Sequence, residues 1–215
     1  MSRQNNRNRN PQDPTVQISK SLSYLLRHAA LKEGLAIDDG GFIAFDELKN
    51  HKRLRSHKIT EEQVLNIVKN CAKQRFFAEQ REDGKLYIRA NQGHSIEVHV
   101  QMEKVESPEA IPLVIHGTYT KFWDAIKQTG LNKMSRLHVH FTAGELGDGE
   151  VISGMRATAD IWIYIDAAKA MADGIVFYRS ANNVILSEGI NGVVPTKYFS
   201  RVRNIKTGQD LEVPV

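Results

Sequence analysis

The spacing of apolar residues changes character along this chain, and that change limits the folds open to it. Near the front, Ile18, Leu22, Leu25 and Leu26 fall at i, i+4, i+7 and i+8, the stripe of an amphipathic helix. At about 100° per residue, Lys20, Tyr24, Arg27 and His28 then project from the other side. Asp38-Asp39-Gly40-Gly41 reads as a turn, Phe42-Ile43 as a short strand, and Asp46-Glu47-Leu48 as the opening of a short helix. Thr60 with Gln63 three residues later has the form of a capping box. Val64, Leu65, Ile67, Val68 and Cys71 are expected to supply the buried side of the helix that follows. Phe76-Phe77-Ala78 and Leu86-Tyr87-Ile88 flank Asp83-Gly84, the pattern of a β-hairpin. Helices followed by a two-stranded hairpin make a winged-helix pattern, expected over residues 15–92.

Behind it the pattern is that of strands. Ile96 to Val100 alternates apolar and polar, and Leu113-Val114-Ile115 reads as a strand ending at His116-Gly117-Thr118. A helix from Phe122 to Thr129 is closed by Gly130. Leu137 to Phe141 reads as a strand, Gly144 to Glu150 as a glycine-rich loop, and Ile161 to Ile165 as a strand rich in β-branched and aromatic residues, with a short Ala-rich helix behind it. Val176 to Tyr178, Val184 to Leu186 and Tyr198-Phe199 complete a strand-dominated α+β domain over 93–215. Residues 1–14 are Asn, Arg, Gln and Pro with almost nothing apolar, and are expected to be a disordered basic tail.

Composition excludes several classes. Of 215 residues, 41% are apolar and 25% charged, enough to bury a core. No apolar run approaches the ~18–20 residues of a membrane-spanning helix, and no signal peptide is read at the start, so a cytoplasmic protein is expected. Cys71 is alone, which rules out an internal disulfide and a cysteine-based zinc cluster. Residues 1–100 carry 17 basic and 12 acidic side chains, while residues 101–215 carry 12 and 13. A polyanionic partner on the front half alone would suit that asymmetry, and the basic run His51 to Lys58 is either a solvated surface or part of such a contact. No heptad seam suggests assembly, and a monomer is expected.

Chemical signatures are sparse. No glycine-rich dinucleotide fingerprint and no phosphate loop is present. His138 and His140 share a strand face that could suit a metal, but no third ligand accompanies them and no metal is expected. Taken singly, Arg27-His28 reads as a solvated face, Arg89 as part of a linker, and Arg156 as a surface charge in a loop.

Taken together they do not. Ser21-Leu22-Ser23-Tyr24-Leu25-Leu26-Arg27-His28, Lys73-Gln74-Arg75-Phe76, Ile88 to Ser95, His116-Gly117-Thr118, His138-Val139-His140 and Tyr178 to Asn183 occur in one order along the chain. In these blocks, from about Ile18 to Phe199, the chain resembles the NAD-dependent RNA 2′-phosphotransferases, which remove the 2′-phosphate left at a tRNA splice junction. Two departures are visible: Ala29-Ala30 stands where the family often has Pro, and Phe42 where it usually has Trp.

The resemblance implies a winged-helix front lobe that holds RNA and a back lobe like the NAD-binding fold of ADP-ribosyltransferases, which needs no dinucleotide fingerprint. It places the family's catalytic set on Arg27, His28, Arg89 and Arg156. Guanidinium groups suit a phosphomonoester because they grip two oxygens and keep their charge, and three of them are expected to converge on one phosphate. Histidine titrates near neutral pH, which fits His28 for proton movement. His116, Gly117, Thr118, His140, Thr142, Gly154, Ser180 and Asn182 are expected to line the NAD site, with Lys20 and Tyr24 on the RNA side and His94 equally able to be structural. The implied reaction consumes NAD as a co-substrate and needs no metal. Two alternatives stay open: an ADP-ribosyltransferase acting on protein or on terminal nucleic-acid phosphates, and a non-enzymatic winged-helix regulator.

Overall fold

A computed structural model describes residues 13–145 and 155–214. The chain forms two compact units. The first runs to Ala90 and takes in Ile96–Val100; the second takes Asn91–Ser95 and everything from Gln101 onward. The backbone therefore passes from one unit to the other after Ala90, Ser95 and Val100.

The first unit opens with α1 (Pro14–Tyr24). It starts one residue inside the segment read as tail, because Asp13 accepts from the Thr15 N–H and Pro14 suits the first helical turn. The chain then winds wider, into a π turn over Leu25–Ala29. Next come β1 (Ile43–Ala44), α2 (Phe45–Asn50), α3 (Glu61–Lys69), β2 (Phe76–Gln80) and β3 (Leu86–Ala90). The capping box at α3 is formed as the sequence predicts, Thr60 Oγ1 accepting from Gln63 N–H and Gln63 Oε1 from Thr60 N–H. Val64, Ile67 and Cys71 are buried on its inner side with Val68 packed beside them, but Leu65 is 43% exposed. The i, i+3, i+4, i+7 set takes the inner face, and Leu65 falls off it. The three strands lie in the order β1-β3-β2, all antiparallel, over a core that includes Leu22, Leu25, Phe45, Leu48 and Ile88. Ile96–Val100 forms no ladder strand; Ile96 packs against this unit's core, and His99 N–H donates to the Asp39 carbonyl.

The second unit holds β4 (Glu103–Lys104), β5 (Ile115–Thr118), α4 (Thr120–Thr129), β6 (Leu131–Asn132), β7 (Val139–Thr142), β8 (Ile161–Ile165), α5 (Ala167–Ala172), β9 (Tyr178–Arg179), β10 (Val184–Ser187), β11 (Val193–Val194), β12 (Phe199–Asn204) and β13 (Asp210–Leu211). Eight of these strands make one antiparallel sheet in the order β13-β12-β8-β5-β7-β10-β9-β4. Ile161, Ile163 and Ile165 turn inward with Phe141, Phe177 and Tyr198, and α4 adds Trp123 to the same core. His116-Gly117-Thr118 lies inside β5 rather than beyond its end, since the ladder to β8 begins only at Ile115. With its two units, the chain is an α+β protein. No described helix is long and apolar enough to cross a membrane.

Candidate active site

In the first unit, Arg27 and His28 sit in the π turn that follows α1. Leu25, Leu26 and Ala29 are essentially fully buried and hold that turn against the core. Arg27 is half-buried and His28 exposed. Such wide turns recur where a helix must present a functional group out of register with its neighbours. Tyr24 is half-buried beneath the Arg53 guanidinium, 4.2 Å from its ring centre, and Lys20 one turn earlier is exposed.

Arg89 is positioned by strand alternation. Leu86, Ile88 and Ala90 point into the core, so Tyr87 and Arg89 point away from it. Register puts Phe77 of β2 directly opposite Arg89, and Phe42 stands one residue before Ile43, the partner of Ile88. The Arg89 guanidinium is thus flanked by two rings, 5.1 Å from Phe42 and 5.3 Å from Phe77. Its Nε is buried with no hydrogen-bond partner, and among the described residues no carboxylate pairs with it. Burial lowers its pKa, with the charges of Glu79 and Asp38 working the other way. A delocalised cation against aromatic faces, with no carboxylate hydrogen-bonded to it among the described residues, is chemically able to receive an anion.

In the second unit, His116 Nδ1 donates to the His140 carbonyl at 2.9 Å. Burial pushes His116 below the usual imidazole range, that hydrogen bond raises it, and the charge of Arg136 lowers it further. With Nδ1 donating to that carbonyl, the neutral form of His116 carries its lone pair on Nε2. His140 is buried; its Nδ1 donates to the His138 carbonyl at 3.0 Å, and its Nε2 lies 2.9 Å from Gln92 Oε1. Thr142, fully buried at the end of β7, donates to the Gly144 carbonyl. Thr118 is buried and its carbonyl accepts from Asp160 N–H. His94 is buried and its carbonyl accepts from Leu137 N–H.

The space that a Gly117 side chain would need is filled by Met155 Sδ and Cγ, with Ala159 Cβ close behind. Gly117 is small so that Met155 can lie across β5, and Met155 with Ala159, Trp162 and Tyr164 forms a small cluster there. Arg156, exposed, is held by that anchor and by a turn closed from Ala159 N–H to its carbonyl. Tyr119 meets Thr158 at 2.8 Å; that bond first, and Arg156 second, hold its phenol below the usual range. Arg136 is lowered by desolvation and next by the charge of Arg156, so these two cations share one field. Ser180 and Asn182 are both buried in the turn between β9 and β10, where the Ser180 hydroxyl donates to Asn182 Oδ1 and accepts from Val184 N–H. Gly154 and the end of the glycine-rich loop, 146–150, lie outside the described residues.

A profile of the family described as RNA 2′-phosphotransferase, Tpt1 / KptA, matches residues 13–189. This chain belongs to that family. Among its relatives, a tRNA 2′-phosphotransferase 1 of Danio rerio is 42% identical over 207 residues, covering 93% of this chain and 90% of that protein. The tRNA 2′-phosphotransferase of Saccharomyces cerevisiae is 42% identical over 182 residues, 81% of this chain and 79% of that protein. A Schizosaccharomyces pombe protein, provisionally named for the same activity, is 48% identical over 193 residues, and the chain spans about half of its length, 52%.

All four residues of the expected catalytic set fall inside the stretch matched by this RNA 2′-phosphotransferase profile. Sequence reasoning missed several neighbours of the site: the Phe42 and Phe77 bracket, the Gln92 partner of His140, and the Met155 anchor. Gln92 was within reach, since it lies in the Ile88 to Ser95 block. Phe42 and Phe77 depend on strand register, and Met155 on the packing over Gly117.

Proposed function

We propose that the protein removes an internal 2′-phosphate from RNA, such as that at a tRNA splice junction, by transferring it to NAD. The observation that carries this reading is Arg89, a guanidinium inside the family-matched stretch that lies beside two aromatic rings and is paired with no carboxylate among the described residues. Arg27, Arg89 and Arg156 clamp the phosphate. In the first step a phosphate oxygen attacks C1″ of NAD as the bond to nicotinamide breaks, its electron pair leaving with the ring nitrogen. In the second step the ribose O2″ attacks phosphorus and gives up its proton, while the bond from phosphorus to the RNA 2′-oxygen breaks and that oxygen gains a proton. The products are nicotinamide, ADP-ribose 1″,2″-cyclic phosphate and RNA with a 2′-hydroxyl. The arginines counter phosphoryl charge in both steps, and His28 assists the proton transfer of the second.

The first unit acts as a winged-helix lobe for RNA, a reading supported by helices followed by the β2–β3 hairpin. Lys20 and Tyr24 lie on its RNA side. The second acts as an NAD-binding lobe like that of ADP-ribosyltransferases, supported by an antiparallel sheet without βαβ crossovers. NAD fits its donor set: His116 Nε2 can accept from a ribose hydroxyl, and the shared field of Arg136 and Arg156 favours a pyrophosphate. Gly117, Thr118, His140, Thr142, Gly154, Ser180 and Asn182 complete that site, with Gly117 acting through the packing of Met155. The protein works as a monomer in the cytoplasm and without a metal.

The test is incubation with NAD and an RNA bearing one internal 2′-phosphate, followed by analysis of both RNA and small molecules. Loss of the phosphate with appearance of the cyclic ADP-ribose product is expected. Unchanged RNA with intact NAD would overturn the proposal, and ADP-ribosylated RNA that never resolves would assign an enzyme that stops after the first step.

A further inference from the structure

The outer face of the first unit's sheet carries a row of alternating rings and guanidinium groups. Arg81 lies 4.3 Å from the Tyr87 ring and 4.6 Å from Phe42; Arg89 lies 5.1 Å from Phe42 and 5.3 Å from Phe77. The two arginines differ in one respect. Arg81 is neutralised, by Asp38 at 2.8 Å and Glu79 at 2.9 Å, whereas Arg89 has no such partner among the described residues. The row ends on Phe77, which is 42% exposed, although Phe76 beside it is buried in the core. Phe42 meets the Phe77 ring edge-on at 6.1 Å, and Phe42 itself is only 9% exposed. Phe77 is thus the one open rung, directly beside the cation assigned to phosphate.

We propose that Phe77 is a stacking platform for a nucleobase of the RNA substrate, seated next to the phosphate held by Arg89. This rests on the phosphotransferase reading and names how that substrate is held. A nucleotide whose 2′-phosphate is gripped by a guanidinium carries its base one ribose away. An aromatic face beside the guanidinium is the chemistry that receives it, because RNA is recognised largely by bases stacked on aromatic and arginine planes. Every base offers a π-face, so the platform selects nucleic acid without selecting sequence. It also accounts for an apolar ring left in water on an otherwise charged hairpin.

The experiment measures KM for RNA with the full-length enzyme at saturating NAD. Substrates are a 2′-phosphorylated RNA and versions abasic at the phosphorylated nucleotide or at either neighbour. The variants are Phe77→Leu, which keeps bulk and loses the ring, and Phe77→Trp, which keeps a ring. On intact RNA, Phe77→Leu is expected to raise KM on the order of tenfold, and Phe77→Trp to stay near the wild-type value. At one abasic position the wild-type enzyme should suffer the same loss, and Phe77→Leu should add nothing to it. Equal losses by Phe77→Leu on intact and on every abasic RNA would overturn the proposal, leaving Phe77 only a support for Arg89. Unchanged KM would overturn it as well. A wild-type enzyme that fails to turn over intact RNA would defeat the phosphotransferase reading itself, a different outcome from either.

Discussion

Gln92 Oε1 lies 2.9 Å from His140 Nε2, and the other nitrogen of that ring already donates to the His138 carbonyl at 3.0 Å. Both polar ends of the imidazole are therefore engaged inside the protein. His140 serves as an anchor that fixes Asn91–Ser95 to β7 within the second unit, and its carbonyl in turn orients His116. Gln92→Leu removes this buried hydrogen bond to His140, which costs about 0.5–1.5 kcal/mol. Urea denaturation should show that loss, with the KM for NAD rising as His116 loses its orientation.

Arg89→Lys separates charge from shape. A lysine keeps the positive charge but lacks the planar guanidinium that lies beside the Phe42 and Phe77 rings and grips two phosphate oxygens. We expect kcat/KM for RNA to fall about 10- to 100-fold, the worth of one strong charged hydrogen bond. Steady-state kinetics with varied RNA reads it.

Gly117 and Arg156 act on the same segment by different routes. Gly117→Ala places a methyl group where Met155 now lies, so the fold should lose about 1–3 kcal/mol through overpacking and the Arg156 segment should move with Met155. Arg156→Ala changes an exposed side chain, and stability should stay within about 0.5 kcal/mol while turnover collapses. Thermal melts beside turnover assays distinguish the two.

Acid should destabilise the second unit through its histidines. His116 and His138 both fall below the usual value of 6.5, chiefly because burial disfavours their charged forms. The unfolded chain then binds protons that the folded one refuses. The stability is full above pH 6.5 and is lost as pH falls from there toward the lowered folded-state values. His116→Asn, whose amide can still donate to the His140 carbonyl, should flatten that decline in part, the remainder belonging to His138. Denaturation midpoints between pH 7 and 5 would show it.

What could be read from sequence was local. The Thr60–Gln63 box, the hairpin about Asp83-Gly84 and the β8 strand depend on residues a few positions apart, and each stands where it was expected. Long-range register was not legible. Nothing near Ile115 announces that β5 will lie between β7 and β8, and the two-residue strands β4, β6, β11 and β13 exist only because a neighbour pairs with them. The site divides the same way. Arg27, His28, Arg89 and Arg156 stand out through their sequence blocks, but the ring bracket around Arg89 requires β1 and β2 to settle on opposite sides of β3. Ile96–Val100 shows the converse, an alternating pattern that finds no strand to pair with.

In the proposed reaction the phosphate goes to NAD and not to water. An RNA carrying a radiolabelled phosphorus solely in its 2′-phosphate tests this directly. With enzyme and NAD, the label should leave the RNA and appear in ADP-ribose 1″,2″-cyclic phosphate, and without NAD it should stay where it is. Label released as inorganic phosphate in the absence of NAD would instead make the protein a phosphatase and overturn the proposed transfer.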